Sequence, residues 1–346
     1  MKKYLLSLML LLPGLTLLAQ NNNDKEPFTT KTFSEAVRNV EVKTSGGSIS
    51  VTGADAGSSR VEVYVRANNG RDILISQDEI KRRLSEDYDL EISVNNSKLT
   101  AIAKPKERNM DWKKALSISF KVFVPKNVTT DLATSGGSIS LRDLTGNQDF
   151  STSGGSLHVE NLSGKTKGRT SGGSIHVSNS KDEIDLSTSG GSIHADKCTG
   201  NIKLSTSGGS VNLKSLNGNI KANTSGGTVR GEDISGELET HTSGGSIKLK
   251  DLSCSLETST SGGHIDVSIK ELGKFVKIHN SGGNIDLQIP NNKGLDLKLR
   301  GDRVNSGELK KFDGRIEKDR IDGTINGGGI PVSVNAGSGR VNVSFN

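Results

Sequence analysis

Aromatic side chains make up only 3% of this 346-residue chain, and hydrophobic residues of every kind reach 31%. A conventional globular core of Phe, Leu and Met cannot be built from so little material, so the chain is either disordered or folded around a very thin core. Cysteine is equally scarce. Cys198 and Cys254 are the two present, which excludes a disulfide-stapled scaffold. No apolar run after residue 18 is long enough for a membrane-spanning helix. Long runs of one charge are also missing. Acid and base are mixed along the chain, and no Lys/Arg cluster of the kind that marks a nucleic-acid footprint is visible.

What the chain has instead is a period. The tetrapeptide Thr-Ser-Gly-Gly begins at Thr134, Thr152, Thr170, Thr188, Thr206, Thr224, Thr242 and Thr260. An earlier copy begins at Thr44, and a variant, Asn280-Ser281-Gly282-Gly283, closes the series. A short fixed period with little drift is the mark of a solenoid, in which each repeat is one coil stacked on the last. Such a core needs only a few small aliphatic residues per coil, which resolves the scarcity of hydrophobic residues in favour of a fold.

One coil, Ser189 to Thr206, shows the pattern. Ser192-Ile193-His194-Ala195 and Asn201-Ile202-Lys203-Leu204-Ser205-Thr206 alternate with period two, as half-buried strands do. Gly190-Gly191 and a turn containing Gly200 separate them, and both are expected to supply positive φ at corners. Followed from coil to coil, one inward column reads Ile139, Leu157, Ile175, Ile193, Val211, Val229, Ile247, and another Ile184, Ile202, Ile220, Leu238, Leu256. The repeated threonine shares their parity, so it should face inward and pair its hydroxyl with the backbone. That placement argues against a water-ordering threonine face. The cysteines lie 56 residues apart, about three coils, or roughly 14 Å at the usual strand spacing, too far for a disulfide. Both are read as packing substitutions. The predicted architecture is an all-β solenoid with 18-residue coils, roughly nine or ten of them over about 45 Å.

The flanks differ. Residues 1–19 read as a signal peptide, with Lys2 and Lys3, an apolar stretch from Tyr4 to Leu18, and cleavage after Ala19. The formal charge of +6 then becomes +4, from 45−2 basic against 39 acidic residues. Residues 20–133 hold the first coil and an α+β insertion. There Ser76 and Glu79 form a capping box, and Ile80, Leu84 and Tyr88 share one helix face. A hairpin-like pair, 90–94 and 99–103, and a strand ending at Pro125 follow, and the insertion, with Trp112, should cover the open edge of the stack. Residues 134–289 are the regular solenoid, and 290–346 read as wider, irregular final coils.

The strand Phe120-Lys121-Val122-Phe123-Val124-Pro125 leading into Ser-Gly-Gly-Ser-Ile coils resembles the bacterial putative-adhesin domain family. So does the ending Gly327-Gly328-Gly329 followed by Gly339-Arg340-Val341-Asn342-Val343. The resemblance runs from about Phe33 to Phe345. It implies an exported β-solenoid related to autotransporter adhesin heads, and it transfers no functional residues.

Catalytic motifs are not found. There is no Gly-x-Ser-x-Gly elbow, no phosphate loop and no nominable carboxylate pair, and no cofactor or metal is predicted. The candidate for a binding role is the outward column between the apolar positions of the first strand: Ser140, His158, His176, His194, Asn212, Arg230, Lys248, Asp266, Asp286. His158, His176 and His194 would sit about 4.8 Å apart on successive coils. Glu160 and Asp196 lie two positions on, while His241, His264 and His279 fall elsewhere. The expectation is a non-enzymatic envelope protein, exported to the periplasm, cell surface or exterior. It would present a rigid repetitive surface to a surface glycan or protein. The alternative is a periplasmic scaffold that associates with itself end to end. Neither reading involves nucleic acid or a membrane span.

Overall fold

The computed structural model describes residues 26–55, 58–68, 76–107 and 115–345. The expected signal peptide and Trp112 lie outside the described residues. The fold is an all-β solenoid in which 27 strands join one hydrogen-bonded network, with a single helix among the described residues.

Each coil carries a short and a longer strand, such as Ile193–Asp196 and Thr199–Thr206. Each pairs in parallel with its counterpart 18 residues away, so Ile175 sits opposite Ile193 and Ile184 opposite Ile202. The predicted inward columns are buried throughout, from Ile139 to Ile285 on the short strands and from Ile184 to Leu256 on the longer ones. Each such side chain contributes about 1.5–3 kcal/mol of burial, repeated coil after coil. Where one coil departs, its neighbour compensates. The Phe150 ring occupies the space that a Cβ on Gly168 would need, since that Cβ would lie 2.3 Å from Phe150 Cε2.

Three bends close a coil, and the glycines serve two different purposes. At the first bend, the column Asp143, Asn161, Asn179, Lys197, Ser215, Asp233, Asp251 is left-handed, with φ of 50–57°. Short polar side chains tolerate that conformation better than most. At the second, Gly146, Gly164, Gly200, Gly218 and Gly236 have φ between 97° and 127°. The third is the Ser-Gly-Gly corner, and here the expectation of positive φ is corrected, because none of its glycines is left-handed. Their requirement is close approach. A Cβ on Gly191 would lie 2.1 Å from the carbonyl oxygen of Gly173 on the preceding coil, and the same clash recurs at Gly137, Gly155, Gly173, Gly209, Gly227, Gly245 and Gly263.

The threonines pin this corner from inside. Thr206 Oγ1 donates to Gly191 O at 2.8 Å and accepts from Gly209 N at 3.3 Å, and the arrangement repeats at Thr152, Thr170, Thr188, Thr224 and Thr242. Both partners are part-buried backbone groups, which the threonine hydroxyl satisfies. Cys198 and Cys254 are buried and unbridged. Cys254 stands in the glycine column, just before a register shift between Cys254 and Leu256.

Both ends are built out of chain order. At the N-terminal end, the first coil (Asn39–Thr44 and Ile49–Ala54) lies between later segments. Asn39–Thr44 pairs with Lys98–Pro105 on one side and Thr129–Thr134 on the other. Ile49–Ala54 pairs with Leu116–Pro125 and Ile139–Arg142. Antiparallel strands Tyr88–Asn95, Ser59–Ala67 and Thr29–Phe33 extend the two sheets outward. The helix Gln77–Asp87 packs beside them through Ile80 and Leu84, with Ser76 accepting from Glu79 N as its N-cap. Tyr88 is already extended and opens the next strand, so it leaves the helix face on which its spacing had placed it.

At the C-terminal end, the final strands are likewise assembled out of chain order. Residues 330–345 slot between the coil ending at Ile289 and the later-placed segment 295–306. Ile330–Ala336 pairs with Ile265–Asn280 on one side and Leu295–Arg300 on the other, and Arg340–Phe345 pairs likewise with Ile285–Ile289 and Arg303–Ser306. An antiparallel pair, Phe312–Ile316 and Arg320–Ile325, then covers Leu295–Arg300.

Candidate functional site

The outward residues of the short strands form two parallel columns, because alternate side chains leave the sheet on the same face. The first holds the predicted histidines. Their rings stack face to face, with centroids 5.2 Å apart between His158 and His176 and 4.9 Å between His176 and His194. The planes are within 4° of parallel. Partial burial pushes the His176 imidazole below its ordinary value, and the charges that His194 and His158 would carry add to the effect. Parallel rings hold their nitrogens side by side rather than converging on one point. Among the described residues, no group of three or more His, Cys, Asp or Glu is arranged to hold a metal ion.

The neighbours nominated from sequence separate. Glu160 is taken up by Arg142 one coil away at 2.8 Å. Asp196 faces a concavity of about 810 Å³ and keeps one buried carboxylate oxygen without a hydrogen-bond partner. Of the other histidines, His264 pairs with Asp286 at 3.0 Å and His241 contacts Ser259 on the longer-strand side.

That concavity extends the histidine column into a basic stretch. His176, His194 and Asn212 lead to Arg230 and Lys248 along one column, with Lys214, Glu232 and Lys250 beside them and Lys197 at the bend. Two smaller concavities lie on the same face. One, about 310 Å³, is bounded by Ser50, Tyr64, Arg66 and Lys121 toward the N-terminal end. The other, about 380 Å³, is bounded by Asp266, Asp286, Asn305 and Asn342 toward the C-terminal end. The sheet thus presents three hollows in line along the rod. Sequence reading found the first column but not the second, although counting two residues onward in each coil gives Lys214, Glu232 and Lys250 directly.

No curated protein matches the chain. Among solved structures, it is similar to one described as a "putative cell adhesion protein" from Clostridium sporogenes, at 11% identity over 93% of this chain and 100% of that one, with a TM-score of 0.19. It is also similar to a "putative lipid binding protein" from Parabacteroides distasonis, at 15% identity over 92% and 97%, with a TM-score of 0.29. A "putative adhesin" from the same organism aligns at 16% identity over 92% and 96%, with a TM-score of 0.31. The sequence from Ser178 to Ser344 matches the family model described as Toastrack DUF4097.

Proposed function

We propose that this protein is a non-enzymatic binding module of the bacterial envelope, adhesive in character and exported to the periplasm, cell surface or exterior. One observation carries the reading: three concavities fall in line on a single outward sheet face. A rigid rod with a repeated polar face makes many weak contacts to an extended partner, and their sum exceeds any one of them. Beads coated with residues 20–346 should be retained by isolated envelope material, whereas beads coated with the heat-denatured chain should not. Equal retention of both would sink the reading.

A second reading, self-association, is favoured by the charge order of one column, in which Arg230 and Lys248 precede Asp266 and Asp286. Two antiparallel copies would bring these pairs together. End-to-end association would instead run through the outermost antiparallel strands at the two ends. Sedimentation of the purified chain at rising concentration separates the two readings, and protease shaving of intact cells tests the location.

A further inference from the structure

We propose that the basic central hollow is a subsite for an anionic polysaccharide chain lying along the rod axis. The inference rests on the binding-module reading and names its ligand class. Five cations face the hollow, Lys197, Lys214, Arg230, Lys248 and Lys250, against two carboxylates, Asp196 and Glu232. None of the five makes an ion pair with a described side chain. Elsewhere on the rod some cations are held by a carboxylate on the neighbouring coil, as in Lys165–Glu183 at 2.9 Å and Lys221–Glu239 at 2.6 Å, while others, such as Lys203, stand singly rather than gathered around a hollow. In the hollow that neutralisation is missing, so the positive field is free for an outside partner.

The geometry selects a polymer. Register places Arg230 beside Lys248 on successive coils of one column, and Lys214 and Lys250 two coils apart in the adjacent column with Glu232 between them, so the cations recur along the axis in two adjacent columns. From the coil of Lys197 to that of Lys250 is three coil steps, about 14 Å. The hollow opens outward and is continued in line at either end, which suits a strand passing through better than a small enclosed molecule. Nucleic acid is the competing polyanion. A single-stranded nucleic acid would need aromatic platforms for its bases, and neither Phe, Tyr nor Trp lines this hollow. Hydroxyl-rich sugar carboxylates need only what is here: separated cations, Asn212 and Ser178 as neutral hydrogen-bonding groups, and imidazole edges at one end.

The test uses residues 20–346 and polygalacturonate as probe. Its fully methyl-esterified form is the uncharged control on the same backbone, and single-stranded DNA is the competing polyanion. Binding is followed by calorimetry at low and moderate salt. The wild type should bind polygalacturonate in a salt-sensitive way and bind neither the ester nor the DNA comparably. The triple variant Lys214→Gln, Arg230→Gln, Lys248→Gln should lose about tenfold or more in affinity, since exposed pairs are individually weak and only their sum is large. The matched triple Arg169→Gln, Lys181→Gln, Lys203→Gln removes the same charges from the longer-strand sheet and should change affinity less than about twofold. Melting curves verify that both triples are folded. Equal loss in the two triples overturns the site. DNA binding as tight as polygalacturonate overturns the ligand class, and absence of polygalacturonate binding overturns the inference altogether. In each case, retention by envelope material in the bead assay would still uphold the broader reading.

Discussion

Adjacent glycines of the Ser-Gly-Gly corner should respond in opposite ways to the same added methyl group. At Gly191, a Cβ would stand 2.1 Å from Gly173 O, 2.4 Å from its carbonyl carbon and 2.6 Å from Ser174 N. All three are backbone atoms of the coil beneath, fixed by Ile175 N donating to Ser192 O at 2.9 Å and by Thr188 donating to Gly173 O at 2.8 Å. Relief requires the coils to part by more than an ångström locally, which stretches those bonds. Overpacking costs about 1–3 kcal/mol, and each hydrogen bond lost adds about 1 kcal/mol. Gly191→Ala should therefore cost about 3–4 kcal/mol. At Gly190, the nearest atoms to a Cβ are Gly172 O and Ser171 O, both at 3.5 Å, an ordinary contact. With φ outside the left-handed region, Gly190→Ala should be neutral or stabilising by up to about 1 kcal/mol through the unfolded chain. Urea unfolding with matched slopes reads both. Equal destabilisation of the two variants would refute the close-approach argument and return the requirement to backbone conformation.

Three other outcomes follow from the coil geometry. The His176 imidazole titrates below its unfolded value near 6.5, so its contribution to stability is complete above that pH and is lost as pH falls through the folded value. Melting temperature should thus fall less steeply on acidification in His176→Asn, which copies Asn212 in the same column, and identical slopes would count against the stacked ladder as the cause. Thr206→Val keeps the shape but strands Gly191 O and Gly209 N, and should cost about 1–3 kcal/mol, with Thr206→Ser recovering part in chemical denaturation. Burial pushes the thiol of Cys254 up to about 12 and that of Cys198 up to about 11. Neither should react with iodoacetamide at mildly alkaline pH until the chain is unfolded, as mass spectrometry would show.

The coil was legible because its signals are local and repeated. Period two within strands, eighteen between them, and the parity of the threonines placed Ile193, Ile202 and Thr206 inside without any long-range information. The helix cap at Ser76 was legible for the same reason. The role of Gly191 was not, since a glycine needed for approach and one needed for positive φ look identical in sequence, and only the neighbouring coil distinguishes them. The ends escaped for a different reason. Nothing periodic links Val276 to Val332, and although Thr44 and Thr134 open copies of the same tetrapeptide, the aperiodic chain between them hides that they are direct neighbours. Of the candidate site, the histidine column was readable and the hollow was not. Its lining comes from several neighbouring coils, and no single coil carries it.

The out-of-order ends bear on how the molecule is made. Interior coils pair with segments 18 residues away and can form as soon as their neighbour exists. The last coil cannot, because residues 330–345 must enter between two segments already synthesised. Until that strand arrives, Ile265–Asn280 and Leu295–Arg300 each keep an open edge in the C-terminal region. Closure of this region therefore waits for residues 330–345, so the C-terminal coils complete after the interior ones, through contacts of greater sequence separation.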